Sequence, residues 1–125
     1  MELESLSQVG EFVGGMQREM AVNAELCALY NKGLLDLSKL DIQEKIRFTW
    51  WCTEFFSAIE FLYQKQQQGM ISEGIWWRWD QTFRWWLCFP GIITYWESKP
   101  TPFSPEFSDY VEHAIKRGHT PGNRL

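Results

Sequence analysis

Residues 41–88 read DIQEKIRFTWWCTEFFSAIEFLYQKQQQGMISEGIWWRWDQTFRWWLC, and this stretch decides the fold. Asp41 followed three residues later by Glu44 is a capping-box arrangement, which predicts the start of a long helix that ends in the glutamine-rich run. Ser72 predicts the cap of a second helix, which contains the run IWWRWDQTFRWWL. Because only a short turn separates the two helices, the stretch predicts an antiparallel hairpin.

Helices are also predicted on both sides of the hairpin. Before it, apolar residues recur at spacings of three and four and form the seam of an amphipathic helix over about residues 3–22. A short helix over about residues 24–32 follows, with Asn23 as its N-cap and Gly33 as its C-terminal residue. After the hairpin, Pro90 begins a short helical segment, and Ser104 with the proline that follows it begins a last helix that ends near Arg117.

No segment shows the alternation of apolar and polar residues that is typical of a strand. The predicted fold class is therefore all-α, a small helical bundle built on the central antiparallel hairpin of about residues 41–68 and 73–88, with the N-terminal and C-terminal helices packed on it. A chain of 125 residues suits a single unit of this kind. Within it we expect an N-terminal amphipathic helix (1–22), a helical domain (23–117) and a flexible tail (118–125).

Charge and composition exclude several classes of protein. The formal net charge is −4, and residues 1–25 hold five glutamates against Arg18 alone, with no basic cluster elsewhere. Nucleic-acid binding requires such a cluster, so no nucleic-acid partner is predicted. Three cysteines without CxxC spacing, no signal peptide and no apolar run of membrane-spanning length favour a cytoplasmic protein, with association at a membrane surface as the alternative.

The residue types that mark enzymes are sparse. The two histidines, His113 and His119, are six residues apart and do not share a helical face as zinc-binding histidines do. No glycine-rich phosphate loop and no GxSxG motif is present. We therefore predict a non-enzymatic protein with no catalytic residue, no metal and no cofactor.

The tryptophans are the main candidates for function. Seven of the eight lie between Trp50 and Trp86, and three interpretations are open: an aromatic core, an exposed patch that binds a protein or a membrane, or a cage of indoles around a ligand. Successive helical residues turn by about 100°, so Trp76, Trp77 and Trp79 cannot all face inward. We predict an interaction surface formed by these three and by the N-terminal seam, which consists of Leu6, Val9, Val13, Met16 and Met20.

Charged residues of the hairpin suggest its register. With the turn near residue 70, Glu54 lies toward Arg84 and Glu60 toward Arg78, which makes these residues candidates for cross-helix ion pairs. The same four residues are the candidate polar groups of a pocket between the two helices, should the hairpin bind a ligand.

Several segments together resemble a set of bacterial membrane-anchored helical proteins. These are LESLSQVGEFVGG (3–15), NAELCALYNKGL (23–34), CFPGIITYW (88–96) and FSPEFSDYV (103–111). The resemblance implies a helical domain, but the family has no assigned activity, so it transfers no functional residue. In such proteins the opening segment continues into an apolar helix, whereas here MQREM follows, so we expect this chain to lack the transmembrane anchor.

Taken together, these patterns predict a non-catalytic helical module that interacts with a protein or a membrane, with self-association through the seam or the tryptophan face. The alternative is a protein or enzyme that binds a small molecule in a tryptophan-lined pocket between the two hairpin helices. The exposure of each indole distinguishes the two, because a contiguous exposed patch indicates a partner and indoles around a void indicate a ligand.

Overall fold

The computed structural model describes the backbone of residues 2–99 and 101–117, and the side chains from Gln8 onward within those ranges. The described residues are all-helical, as predicted. The helices are α1 (Glu2–Val22), α2 (Ala24–Leu35), α3 (Ile42–Gln67), α4 (Glu73–Trp86), α5 (Pro90–Glu97) and α6 (Pro105–Arg117), with a single 3₁₀ turn at Leu37–Lys39. The predicted tail, 118–125, lies outside the described residues.

The predicted helix starts are confirmed by their capping hydrogen bonds. Asp41 Oδ1 accepts from the Glu44 amide at 2.8 Å, and Glu44 Oε1 accepts from the Asp41 amide at 3.0 Å, which completes the capping box of α3. The side chains of Asn23 and Ser72 cap α2 and α4, each by accepting one hydrogen bond from a backbone amide in the first turn of its helix. The hairpin turn requires a positive φ at Gly69, which is 71° and which glycine adopts without strain. Local sequence therefore sets where these helices begin and where the hairpin reverses.

The core is formed mainly by aromatic side chains of α3 and the helices that pack on it. Phe56 of α3 is completely buried, and its ring lies 5.2 Å from that of Phe83, 5.0 Å from that of Tyr95 and 5.5 Å from that of Trp96. Other fully buried side chains among the described residues are Phe48, Cys52, Ile59, Ile92, Phe107 and Val111. One α3 side chain thus connects α4 and α5 into a single aromatic core.

The N-terminal seam packs on the molecule itself. Val13 is only 3% exposed and belongs to the core, and Val9 and Met16 pack against it. Met20 is half-buried, and the side chain of Leu6 lies outside the described residues. α1 thus contacts α2 and α3 of the same chain through the described residues of the seam.

Gly33 is not the C-terminal residue that the sequence predicted. It is buried within α2, which continues to Leu35. A Cβ atom at Gly33 would lie 2.5 Å from Cδ1 of Phe48, and a Cβ atom at Gly91 of α5 would overlap the carbonyl oxygen of Gly33. Gly91 therefore allows α5 to cross α2 with their backbones in contact, and Gly33 leaves room for the Phe48 ring of α3. These tertiary contacts override the helix-ending tendency of glycine at residue 33.

None of the helices in the described part of the chain is both long enough and apolar enough to cross a membrane.

Candidate functional site

The alternative interpretation of the sequence was a tryptophan-lined pocket between the two hairpin helices, and the structure contains a cavity at this place. A cavity of about 250 Å³ lies between α3 and α4; α1 covers part of it, and the rest is open to solvent. We call it the roofed cavity. Its walls come from α2, α3 and α4 and its roof from α1, and its lining residues are Val13, Met16, Gln17, Met20, Tyr30, Trp51, Phe55, Thr82, Trp85 and Trp86.

Ring contacts fix the aromatic wall of the roofed cavity. The Trp51 ring lies 4.5 Å from the Tyr30 ring, in an edge-to-face arrangement, and 5.4 Å from the Trp86 ring. The Phe55 ring lies 4.3 Å from that of Trp86. Edge-to-face and tilted pairs at these distances are favourable beyond the apolar area that they bury. The wall is therefore held in place by residues of three helices before any ligand is present.

Polar atoms at the roofed cavity are few and mostly engaged within the protein. The indole nitrogen of Trp86 donates to the Tyr30 hydroxyl at 2.8 Å, which satisfies the N–H that a buried tryptophan must pair. Burial raises the pKa of Tyr30 well above its usual range, so this hydroxyl stays neutral at physiological pH. The Thr82 hydroxyl donates to the Arg78 carbonyl oxygen at 2.9 Å. None of the lining residues carries a charge.

The three tryptophans predicted to form an interaction surface have different environments. Trp76 is half-buried, with its ring 5.9 Å from that of Tyr63 and 5.6 Å from that of Tyr110. Trp79 is half-buried and packs against the core. Trp77 is 64% exposed. The sequence argument that these indoles cannot all turn inward is confirmed, and Trp77 is the one left outside.

Three of the four predicted charges contact other groups than those proposed, and the fourth, Glu54, is exposed. Arg84 pairs with Asp80 one turn earlier in α4, with 2.9 Å between Nε and Oδ1, and not with Glu54, which is exposed. Glu60 accepts a hydrogen bond from the Ser104 amide at 2.8 Å and so holds the start of α6. The Arg78 guanidinium lies 5.9 Å from the Trp79 ring centroid. These four residues also take no part in lining the roofed cavity.

Asp80 is the centre of a half-buried polar cluster that the sequence did not reveal. The Tyr110 hydroxyl donates to its Oδ1 at 2.5 Å, Arg84 donates to the same oxygen, and the Arg84 guanidinium lies 5.5 Å from the Tyr110 ring centroid. Burial, followed by the hydrogen bond to Asp80, raises the pKa of Tyr110 above its usual range. This cluster fixes α6 against α4.

We expect Tyr110→Phe to lower the free energy of unfolding by about 2 kcal/mol, because it removes a hydrogen bond to a charged acceptor. Urea unfolding followed by far-UV circular dichroism measures the change. Tyr63→Phe is the control, since the Tyr63 ring stacks on Tyr110 at 4.9 Å but its hydroxyl lies outside the cluster. Equal losses in the two variants would contradict the role given to the Tyr110 hydroxyl.

A second candidate surface lies on α3, on the side away from the core. Ile42, Ile46 and Trp50 follow each other at spacings of four and are 78%, 53% and 64% exposed. We call them the α3 row. Ile46 and the buried Phe48 point about 200° apart around the axis of α3. The first half of α3 is thus apolar on two opposite faces, and only one of them meets the core.

The cysteines and histidines form no metal site among the residues that the structure describes. In the described part of the chain Cys27, Cys52 and Cys88 form no disulfide bond, and burial raises the pKa of Cys52 above its usual range. His113 is exposed on α6, and His119 lies outside the described residues.

Comparison with protein-family models, with curated proteins and with solved structures finds no significant match to this chain.

Proposed function

We propose that this chain is a non-catalytic interaction module that associates with a second copy of itself through the α3 row. The observation that carries the proposal is the exposure of three large apolar side chains in consecutive turns of one helix. Single exposed apolar residues are common on protein surfaces, whereas a contiguous apolar strip is typical of an interaction site. A cytoplasmic setting is part of the same proposal, on the ground of the three cysteines, which form no disulfide bond among the described residues.

The surroundings of Trp50 and Trp77 show why the α3 row is the better candidate. Both indoles are 64% exposed. One helical turn from Trp77 lie Glu73 and Gln81, so this indole stands in a polar row. One turn before Trp50 lies Ile46, and Ile42 lies a turn before that. Only Trp50 therefore extends an apolar strip that a partner helix can cover.

The α3 row also suits a twofold-symmetric partner. Ile46 is its midpoint, so two antiparallel copies would place Trp50 of one chain against Ile42 of the other, and the contact would repeat on both sides of the axis. Three side chains are far fewer than the roughly 20–30 residues per partner of a standard interface. We therefore expect weak association, which becomes visible at high protein concentration.

We expect Trp50→Glu to abolish concentration-dependent association and the matched variant Trp77→Glu to leave it unchanged. The reason is that a carboxylate in the α3 row would be buried without a partner, whereas at residue 77 it would remain in water. Sedimentation velocity over a wide range of protein concentration measures the change in the weight-average sedimentation coefficient. Circular dichroism checks that both variants fold.

The outcomes separate self-association from its alternatives. A wild-type protein that is monomeric at all concentrations, or a Trp50→Glu variant that associates like the wild type, would overturn the proposal. Flotation with vesicles of phosphatidylcholine and phosphatidylserine tests a membrane surface directly. If the wild-type protein is monomeric and floats with these vesicles, and the Trp50→Glu variant does not float, then the α3 row binds a membrane surface and not a second copy of the chain.

A further inference from the structure

We propose that the roofed cavity is a binding site for a small, neutral molecule with an apolar body about the size of two fused aromatic rings. The inference is independent of self-association, because the cavity faces α1 and α4 whereas the α3 row lies on the opposite side of α3.

Volume sets the size of the ligand. The cavity measures about 250 Å³, whereas an engineered apolar cavity of about 150 Å³ in another protein holds benzene and stays free of water. A space larger by about two thirds accommodates two fused rings or a short branched alkyl group.

The chemistry of the lining sets the charge of the ligand. The faces and edges of Trp51, Trp85 and Trp86 supply apolar and polarisable surface, and the lining contains no Asp, Glu, Lys, Arg or His. An ion that entered would lose its hydration without meeting a counter-charge, so the cavity selects against both anions and cations. The Tyr30 hydroxyl and the Gln17 amide offer hydrogen bonds to one polar group of a neutral ligand.

The roof allows a ligand to enter. Met16 and Met20 reach into the cavity from α1, and the unbranched methionine side chain adapts to irregular shapes. Gly14 and Gly15 lie between the roof residues Val13 and Met16, and each lowers helix propensity by about 1 kcal/mol relative to alanine. Gln17 lines the cavity and is also exposed, which places it at the opening. A weak helix with flexible side chains therefore covers a rigid aromatic wall.

The test compares two probes that share the same ring system. We expect 1-naphthol, which is neutral at pH 7, to bind the wild-type protein with a dissociation constant in the sub-millimolar range, and 1-naphthalenesulfonate to bind at least about tenfold more weakly. Isothermal titration calorimetry measures both. Nuclear Overhauser contacts between the 1-naphthol protons and the methyl groups of Met16, Met20 and Val13 locate the site.

A pair of variants with the same substitution supplies the control. Gln17→Trp fills the opening with an indole, and we expect it to weaken 1-naphthol binding by about tenfold or more. Gln8→Trp adds the same indole to the exposed face of α1, nine residues and about 180° away, and we expect it to bind like the wild type.

Three results would overturn the proposal: no binding of 1-naphthol to the wild type, equal affinity for the neutral and the anionic probe, or equal binding by the two variants. Should Gln17→Trp fail to fold, the methyl contacts in the wild-type protein decide the question alone. Binding of 1-naphthol without contacts to the α1 methyl groups would place the ligand elsewhere and reject the roofed cavity. Self-association of the protein is measured without a ligand, so its failure leaves this result unaffected.

Discussion

Gly91→Ala is expected to lower the free energy of unfolding by about 3 kcal/mol or more, because the added methyl group has no room at this crossing. The new Cβ atom would overlap the carbonyl oxygen of Gly33 and lie 2.8 Å from the Gly33 carbonyl carbon and 3.0 Å from the Leu34 carbonyl oxygen. All three atoms belong to the backbone, so no side-chain rotation relieves the overlap. α2 and α5 must move apart, and the Phe48 ring that packs beside Gly33 loses contacts with them.

The measurement is urea or thermal unfolding of the variant beside Gly74→Ala. Gly74 is the matched control because it occupies the second position of α4, as Gly91 does in α5, and a Cβ atom there meets nothing within 4 Å. We expect Gly74→Ala to change the free energy of unfolding by no more than about 0.5 kcal/mol. Equal effects at the two positions would show that helix propensity, and not the crossing of α2 and α5, decides the result.

Phe56→Ala is the second large expected effect, a loss of about 4 kcal/mol. Phe56 is 0% exposed, and its ring contacts Phe83 and Trp86 of α4, Tyr95 and Trp96 of α5, and Phe103 of the segment before α6. Truncation leaves a cavity bordered by rings of different elements, which cannot collapse without moving several helices. A loss of this size is a large part of the stability of a domain of this length.

Phe61→Ala is the control for this prediction, because Phe61 is on the same helix but only half-buried, beside Lys65. We expect it to cost no more than about 1.5 kcal/mol. Near-ultraviolet circular dichroism adds a second measurement, since Phe56→Ala should weaken the aromatic signal that ordered indoles produce. A stability change under about 2 kcal/mol at Phe56 would mean that the aromatic core repacks around the missing ring.

The helices were predictable because their boundaries depend on local chemistry. The Asp41–Glu44 capping box, the caps at Asn23 and Ser72 and the turn at Gly69 all involve residues within a few positions of each other. The role of Gly33 was not predictable, since it depends on the ring of Phe48 in α3 and on the approach of Gly91, which is 58 residues away. A glycine near a helix end predicts a cap on local grounds, and only the tertiary contact shows that α2 continues past it.

The candidate sites were predictable only in part. That the hairpin could line a pocket followed from its tryptophans, but the contributions of Tyr30 and of the α1 methionines depend on how α1 and α2 pack. Asp80 forms an ion pair with Arg84 within one helix turn. The predicted longer-range pair between Arg84 and Glu54 therefore did not form. The α3 row was predictable from the sequence. A helical wheel separates Ile46 from Phe48 by about 200° and so predicts two apolar faces on this helix.

The contact between Gly33 and Gly91 has a consequence for the order of folding. Tyr63 and Trp76, which pack across the hairpin, are 13 residues apart, whereas the crossing of α2 and α5 closes a loop of 58 residues. Loop-closure entropy favours the nearer contacts, so we expect the α3–α4 hairpin to form early and the glycine crossing to form after the transition state. Crowding at Gly91 would then act mainly on the rate of unfolding, and the lifetime of the native state would depend on two residues without side chains.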